Sequence, residues 1–360
     1  MPRYRVHESI GVGGMGEVFR AAVTLVPGVE RQVAIKVVKS ELASDPHFAA
    51  LFVDEARVAL SLAHSNIVVA HDFGRIDLPG APERWFLAME LIEGVDLGSL
   101  LRYRLVEGQR GVPLAAALTI AIEICKGLDY AHRRTDAEGR KLGVVHRDVS
   151  PGNILVSREG EVKVADFGVA KSTLRDVGSL VGTVKGKIPY MAPEQLAGAT
   201  LDARVDVYGV GIVLYEMLCG VRAYVDEDEG PALIPDVMAG RHPPLRERAP
   251  ELAQGLAAIV SRAMDPEPSR RFASAAALRV ELERFAQAQR LLLCTPDLAE
   301  LVEEALAVRK RLAPLEARMR AARRAKTTAS SEAGALDFGS ALERVLGDAP
   351  FSVYTRTHSE

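Results

Sequence analysis

The 360 residues are 48% hydrophobic and 26% charged, with a formal net charge of −3. That composition suits a water-soluble globular chain with a core large enough for two domains or two lobes. The charge exerts no global pull toward nucleic acid or anionic lipid. Three cysteines, Cys125, Cys219 and Cys294, lie far apart without metal-ligand spacing, a usage that fits a reducing compartment and core thiols.

Tyr4 to Ile10 and Glu17 to Ala22 read as short strands joined by Gly11-Val12-Gly13-Gly14-Met15-Gly16, and Gln32 to Lys39 as a third, dense in Val and Ile. Pro46 to Leu62 carries Phe48, Leu51, Phe52, Ala56 and Leu60 at helical spacing. Ile67 to Phe73 and Trp85 to Leu91 are further strands. After Gly94 the pattern turns helical, over Leu97 to Arg104 and Pro113 to His132. Arg133 to Gly143 is polar and turn-rich, and two hairpin strands flank Gly160. Helical patterns follow at Asp206 to Cys219, Glu251 to Met264 and Ser274 to Ala286.

Beyond about residue 288, Asp297 to Arg324 has good helix propensity, with Pro314 expected to interrupt it. Its basic run, Arg318 to Lys326, reads as a solvated helical face or a docking helix rather than a nucleic-acid site. A helical extension over 288–326 and a flexible linker or tail over 327–360 are expected. No secretory leader follows Met1. The most apolar later stretch, Val205 to Leu218, contains Asp206 and Glu216 and is too short to span a bilayer. The expectation is a cytoplasmic chain with no membrane and no nucleic-acid partner.

Chemistry gathers at a few points. Gly11, Gly13 and Gly16 form G-x-G-x-x-G after a strand, with Gly14 inside it and Val18 two residues on. Glycine permits a sharp turn and lets backbone amides approach phosphate oxygens. A dinucleotide-binding fold would open a helix there, whereas a second strand and then Ala34-Ile35-Lys36 follow. Residues 146–153 read His-Arg-Asp-Val-Ser-Pro-Gly-Asn, and Asp166-Phe167-Gly168 begins thirteen residues after Asn153. A proton acceptor beside two oxygen ligands for magnesium is what phosphoryl transfer from a nucleotide requires.

With Lys36 and Glu55 upstream and Ala192-Pro193-Glu194 downstream, the order resembles the eukaryotic-like (Hanks-type) bacterial serine/threonine protein kinases, of myxobacterial type, over about residues 1–287. The resemblance implies an α+β bilobal kinase fold. A small antiparallel sheet lobe with one main helix (1–91) would precede a larger, mostly helical lobe (92–287). It implies ATP with Mg²⁺, or Mn²⁺, as cofactors, and Ser/Thr-bearing proteins as substrates, with self-association for trans-autophosphorylation. By the same resemblance Lys36 bridges the α- and β-phosphates and Glu55 pairs with it. Ile10, Val18, Ala34, Met89 and Leu155 line the base pocket, and the backbones of Glu90 and Ile92 meet the adenine. Asp96 meets the ribose, although as a helix cap before Leu97 it is equally well explained. Asp148 accepts the substrate proton, and Asn153 and Asp166 ligate the metal. His146 is read as structural. Asp206 holds the catalytic-loop backbone, and Glu194 pairs with Arg271.

One departure stands inside the match. The family usually carries Lys two residues after the catalytic Asp and Thr in the loop before Ala-Pro-Glu; here those places hold Ser150 and Lys187. The expectation is an exchange in which Lys187 reaches Asp148 and the phosphate while Ser150 supplies the hydrogen bond. Arg147 suggests control by a phosphate on Ser172, Thr173, Ser179 or Thr183, with Thr183 preferred. The competing reading is a nucleotide-binding pseudokinase scaffold. It would need no complete set of Lys36, Glu55, Asp148, Asn153 and Asp166.

Overall fold

The computed structural model describes residues 3–13, 16–39, 46–76, 84–167, 186–225, 231–328 and 351–354. In chain order these form β1 (Arg3–Val12), β2 (Gly16–Val26), β3 (Val29–Val38), α1 (Pro46–Ser61), β4 (Ala70–Ile76) and β5 (Arg84–Glu90). There follow β6 (Gly94–Asp96), α2 (Leu97–Val106), α3 (Leu114–His132), β7 (Ile154–Ser157) and β8 (Val162–Val164). The rest is α4 (Pro193–Leu196), α5 (Arg204–Cys219), α6 (Ile234–Ala239), α7 (Leu245–Arg248), α8 (Gln254–Ala263), α9 (Ala275–Ala288), α10 (Thr295–Thr328) and β9 (Phe351–Tyr354). The chain divides into two compact units, one of residues 1–50, 70–91 and 306–360, the other of 51–69 and 92–305.

The first unit is an antiparallel barrel in the order β1-β2-β3-β5-β4-β9. Strand alternation sends every second side chain inward. Phe19, Ala21 and Val23 of β2, Val33, Ile35 and Val37 of β3, and Phe86 and Ala88 of β5 accordingly form the core with Tyr4 and Ile76. The register pairs Phe19 with Ile35 and Ile35 with Ala88, so inward positions oppose inward positions. A slip of one residue would turn this whole set outward, which is why the register is fixed.

Two expectations are corrected here. Residues 327–360 are not all linker: Phe351 to Tyr354 form β9, pairing Tyr4 with Phe351 and Ile76 with Val353. The alternating Phe-Ser-Val-Tyr run meets two sheet edges, β1 and β4, whose backbone groups it satisfies. Pro314 does not end the extension, since α10 runs through it from Thr295 to Thr328. A proline removes one backbone donor, and the Ala, Leu, Glu and Arg around it favour helix strongly enough to continue.

The second unit is built on α3 and α5, both buried on nearly all sides. A three-stranded sheet, β6-β7-β8, lies beside them in the same unit. Ile67, expected within a strand, makes a single bridge to Val164, and β4 begins only at Ala70. The short helices α4, α6 and α7 lack enough turns to print a period on the sequence. Among the described residues no helix is long and apolar enough to cross a membrane.

Candidate active site

The alternation that fills the barrel also sorts the expected nucleotide residues. Val18 pairs with Lys36, Ala34 with Met89, and Lys36 with Leu87, so Val18, Ala34, Lys36 and Met89 share the face opposite the core. Gly11 pairs with Val18 and Ile10 is partly exposed beside it. The glycines are not equivalent. Gly13 closes the turn by donating its N–H to the Gly16 carbonyl at 2.8 Å. Gly16 is required by packing, because a Cβ there would run into the carbonyl oxygen of Val37. Lys36 is 7% exposed and lies in the first unit, while Glu55, 4% exposed on α1, belongs to the second. Burial of a charge at this depth requires a compensating partner or a titration shift, so neither residue is an ordinary surface charge.

In the second unit, the catalytic loop is fixed by side chains that grip its backbone. Asp206, in the first turn of α5 and 1% exposed, accepts from the His146 and Arg147 amides at 2.8 Å each and contacts His132 Nε2 at 2.7 Å. Burial alone would raise its pKa. The His132 hydrogen bond and charge, with His146, outweigh burial and hold the carboxyl below its ordinary range. Gln195 donates its Nε2 to the Arg147 carbonyl at 2.9 Å. Arg147 thereby has both backbone groups held, and it sits at φ 64, a conformation few non-glycine residues adopt. Asp166 shares this feature at φ 56. Such strain persists where surrounding contacts over-determine it, and it clusters at functional sites.

His146 is structural, as expected. Its Nδ1 accepts the Asp148 amide at 3.1 Å, so the ring proton is on Nε2, which donates to the Ala165 carbonyl at 2.9 Å. Its ring packs on Phe167 with centroids 4.6 Å apart. Asn153 donates Nδ2 to the Asp148 carbonyl and to Asp148 Oδ2, both at 2.8 Å. With two acceptors facing its nitrogen, the amide's orientation is settled, and its oxygen is the atom turned away from Asp148. Asn153 and Asp166 thus offer hard oxygen donors, and two protein ligands suit a cation that keeps water and phosphate in its shell.

Lys187 donates its ammonium to Asp148 Oδ2 at 2.6 Å. Ser150 behaves differently from expectation. Among the described residues its hydroxyl makes no hydrogen bond, and its carbonyl instead accepts the Asn153 amide at 2.9 Å. The lysine half of the exchange is present in the geometry, while the hydroxyl half is replaced by a backbone contact that closes the turn Pro151–Asn153.

Supporting residues fall as expected in two places. Arg271, whose side chain is 0% exposed, grips Glu194 through two bonds of 2.6 and 2.8 Å and lies over the Tyr208 ring. Asp96 caps α2, its Oδ1 accepting the Ser99 amide at 2.8 Å. Leu155 on β7 pairs with Asp96, between the inward Ile154 and Val156, and Glu90 and Ile92 are each half-buried. Gly14, Gly168, Ser172, Thr173, Ser179 and Thr183 lie outside the described residues. Two functional supports were not read from the sequence, His132 and Gln195. Gln195 holds a backbone carbonyl and His132 a side-chain carboxylate far along the chain, and neither belongs to a local pattern. Cys125 is fully buried and its thiol pushed well up by burial, which makes it inert.

The model of the protein kinase domain family matches residues 4–282. The chain is 39% identical over 284 residues to the tyrosine-protein kinase MasK of Myxococcus xanthus, covering 78% of this chain and 43% of that protein. It is 34% identical over 308 residues to the serine/threonine-protein kinase PknB of Mycolicibacterium smegmatis, covering 84% and 45%. The chain therefore spans less than half the length of these curated relatives. A crystal structure of the PknI kinase domain of Mycobacterium tuberculosis superposes with a TM-score of 0.59 at 28% identity, covering 80% of this chain and 96% of that one.

Proposed function

The chain belongs to the protein kinase domain family, and we propose that it transfers the γ-phosphoryl group of ATP to Ser or Thr hydroxyls of proteins, its own chain included. The observation that carries this is Asp148 held by both Asn153 Nδ2 at 2.8 Å and Lys187 Nζ at 2.6 Å. A scaffold that only bound nucleotide would have no use for an oriented carboxylate beside a cation.

In this reading Lys36 binds the α- and β-phosphates. The face of Val18, Ala34 and Met89 covers the base, and Asp96, besides capping α2, meets the ribose. Asn153 and Asp166 would hold Mg²⁺, or Mn²⁺ in its place, which would supply positive charge to neutralise the nucleotide phosphates. Asp148 takes the proton of the substrate hydroxyl as its oxygen bonds to phosphorus. The bond from phosphorus to the β–γ bridging oxygen breaks, and its electron pair leaves with ADP. Lys187 supplies, from across the loop, the positive charge that the lysine missing at position 150 would give. Arg147 has a buried Nε with no hydrogen-bond partner among the described residues. That supports a site for a phosphate on the segment before Lys187, formed by autophosphorylation in trans.

Incubation with radiolabelled ATP, Mg²⁺ and a general protein substrate, followed by phosphoamino-acid analysis, tests the proposal. Label on Ser and Thr is expected, reduced roughly 10²–10⁴-fold by Asp148→Asn. Label confined to Tyr would move the specificity to that named for MasK. Nucleotide binding with no label from any form would favour the scaffold.

A further inference from the structure

The helical extension is part of the second unit's architecture through its first three turns. Leu298, Leu301, Val302 and Ala305 fall at the i, i+3, i+4, i+7 spacing of one helical face and are 1, 7, 0 and 2% exposed. The helix start lies directly on the turn between β7 and β8. At Gly160, with φ +81, a Cβ would run into the Thr295 carbonyl oxygen and lie 3.2 Å from the Ala299 nitrogen. One turn further, Glu303 receives the Arg158 guanidinium in a two-pronged pair of 2.6 and 3.0 Å. Glu304 lies 3.6 Å from Arg104 at the end of α2.

Arg158 faces two ways. Its side chain holds α10, and its backbone N–H donates to the Glu93 carbonyl at 2.8 Å. Glu93 precedes β6, whose residues pair with β7 as Gly94 with Ser157, Val95 with Val156 and Asp96 with Leu155. A substituent on Gly94 would strike the Val156 carbonyl, so β6 has no room to shift on β7. A continuous run of contacts therefore joins the buried face of α10, the turn at 158–160 and the segment 93–96.

We propose that the start of α10 is a strap that positions the segment Glu93–Asp96 for nucleotide, with Arg158 as the positioning residue between them. The proposal rests on the reading that Asp96 and its neighbours contact ATP. It predicts that loosening the strap weakens nucleotide binding and leaves the phosphoryl-transfer step alone, because Asp148, Asn153 and Lys187 are held by other contacts.

The test uses the full chain with Val302→Asp, which undocks the helix, and the cycle Arg158→Glu, Glu303→Arg and both together. Two quantities are read: the Kd for a non-hydrolysable ATP analogue with Mg²⁺, and KM for ATP against kcat. Val302→Asp is expected to raise Kd and KM about 5–10-fold with kcat within about 2-fold. Arg158→Glu is expected to raise them about 2–3-fold, because the pair is half exposed, and the reciprocal double variant to recover wild-type values. Nucleotide constants unchanged in Val302→Asp, with only the melting temperature lowered, would reduce the helix to a structural prop and overturn the strap. Failure of the reciprocal pair to recover would remove Arg158 from it. A wild type that binds nucleotide yet labels no protein would sink the phosphotransfer reading, and the Kd comparison would still decide the strap. A wild type that binds no nucleotide would end both.

Discussion

In the first unit, Val18, Ala34, Lys36 and Met89 share a face because strands alternate and the register pairs Val18 with Lys36 and Ala34 with Met89. In the second unit, His146, Arg147 and Asp148 owe their positions to single polar atoms: Asp206 Oδ1 and Oδ2, Gln195 Nε2, Asn153 Nδ2 and Lys187 Nζ. One half is held by a repeating backbone pattern, the other by unrepeated side-chain locks. The first should absorb a lost side chain gradually and fail only when its core collapses. The second should lose geometry at the removal of one atom.

Asp206→Asn should break the comparison hardest. It leaves donors of His132, His146 and Arg147 facing an amide where a buried carboxylate stood, at a cost of about 3–5 kcal/mol in stability by denaturant unfolding. Arg147 would then relax from φ 64, with kinase activity falling by about 10²-fold or more. The same residue sets a pH dependence. A carboxyl whose folded pKa is depressed contributes stability that is full above its unfolded value and is lost as pH falls through the folded one. The stability gap between wild type and Asp206→Asn should therefore narrow as pH falls below 3.8, the ordinary value.

Ile35→Ala, at the fully buried centre of β3, should cost about 2–5 kcal/mol. Nucleotide affinity should change little in the fraction that remains folded, since Lys36 keeps its register. A large loss of affinity without unfolding would show that the sheet positions Lys36 by more than pairing. Gln195→Leu should cost only about 1–2 kcal/mol, yet reduce kcat about tenfold, because one of the two grips on Arg147 is gone. Val18→Ala should act least, raising KM for ATP about 2–3-fold, the order expected for two lost methyl groups in a partly buried contact.

The same contrast explains what the sequence made legible. Period-2 alternation in Phe19-Arg20-Ala21 and Val33 to Val37 announces strands and their inward face. The Gly11–Gly16 turn, Lys36 and the run from His146 to Asn153 are contiguous motifs. The salt bridge from Glu194 to Arg271 followed from motif order. Gln195 grips the backbone carbonyl of Arg147 and His132 the side-chain carboxylate of Asp206, across 48 and 74 positions of sequence, and no local pattern encodes such a grip. Ser150 shows the limit of reasoning by exchange. A hydroxyl at the right place was expected to do a threonine's work, whereas the turn uses its carbonyl. Phe351 to Tyr354 is legible as β-prone only once two open edges are known to await it.

The most direct test is activity across the exchange itself, comparing wild type, Lys187→Thr, and Lys187→Thr combined with Ser150→Lys, with folding checked for each. A cation at Asp148 predicts a loss of about 10²–10³-fold in kcat for Lys187→Thr, with most of it regained when lysine is restored two residues after Asp148. Full activity in Lys187→Thr would contradict it.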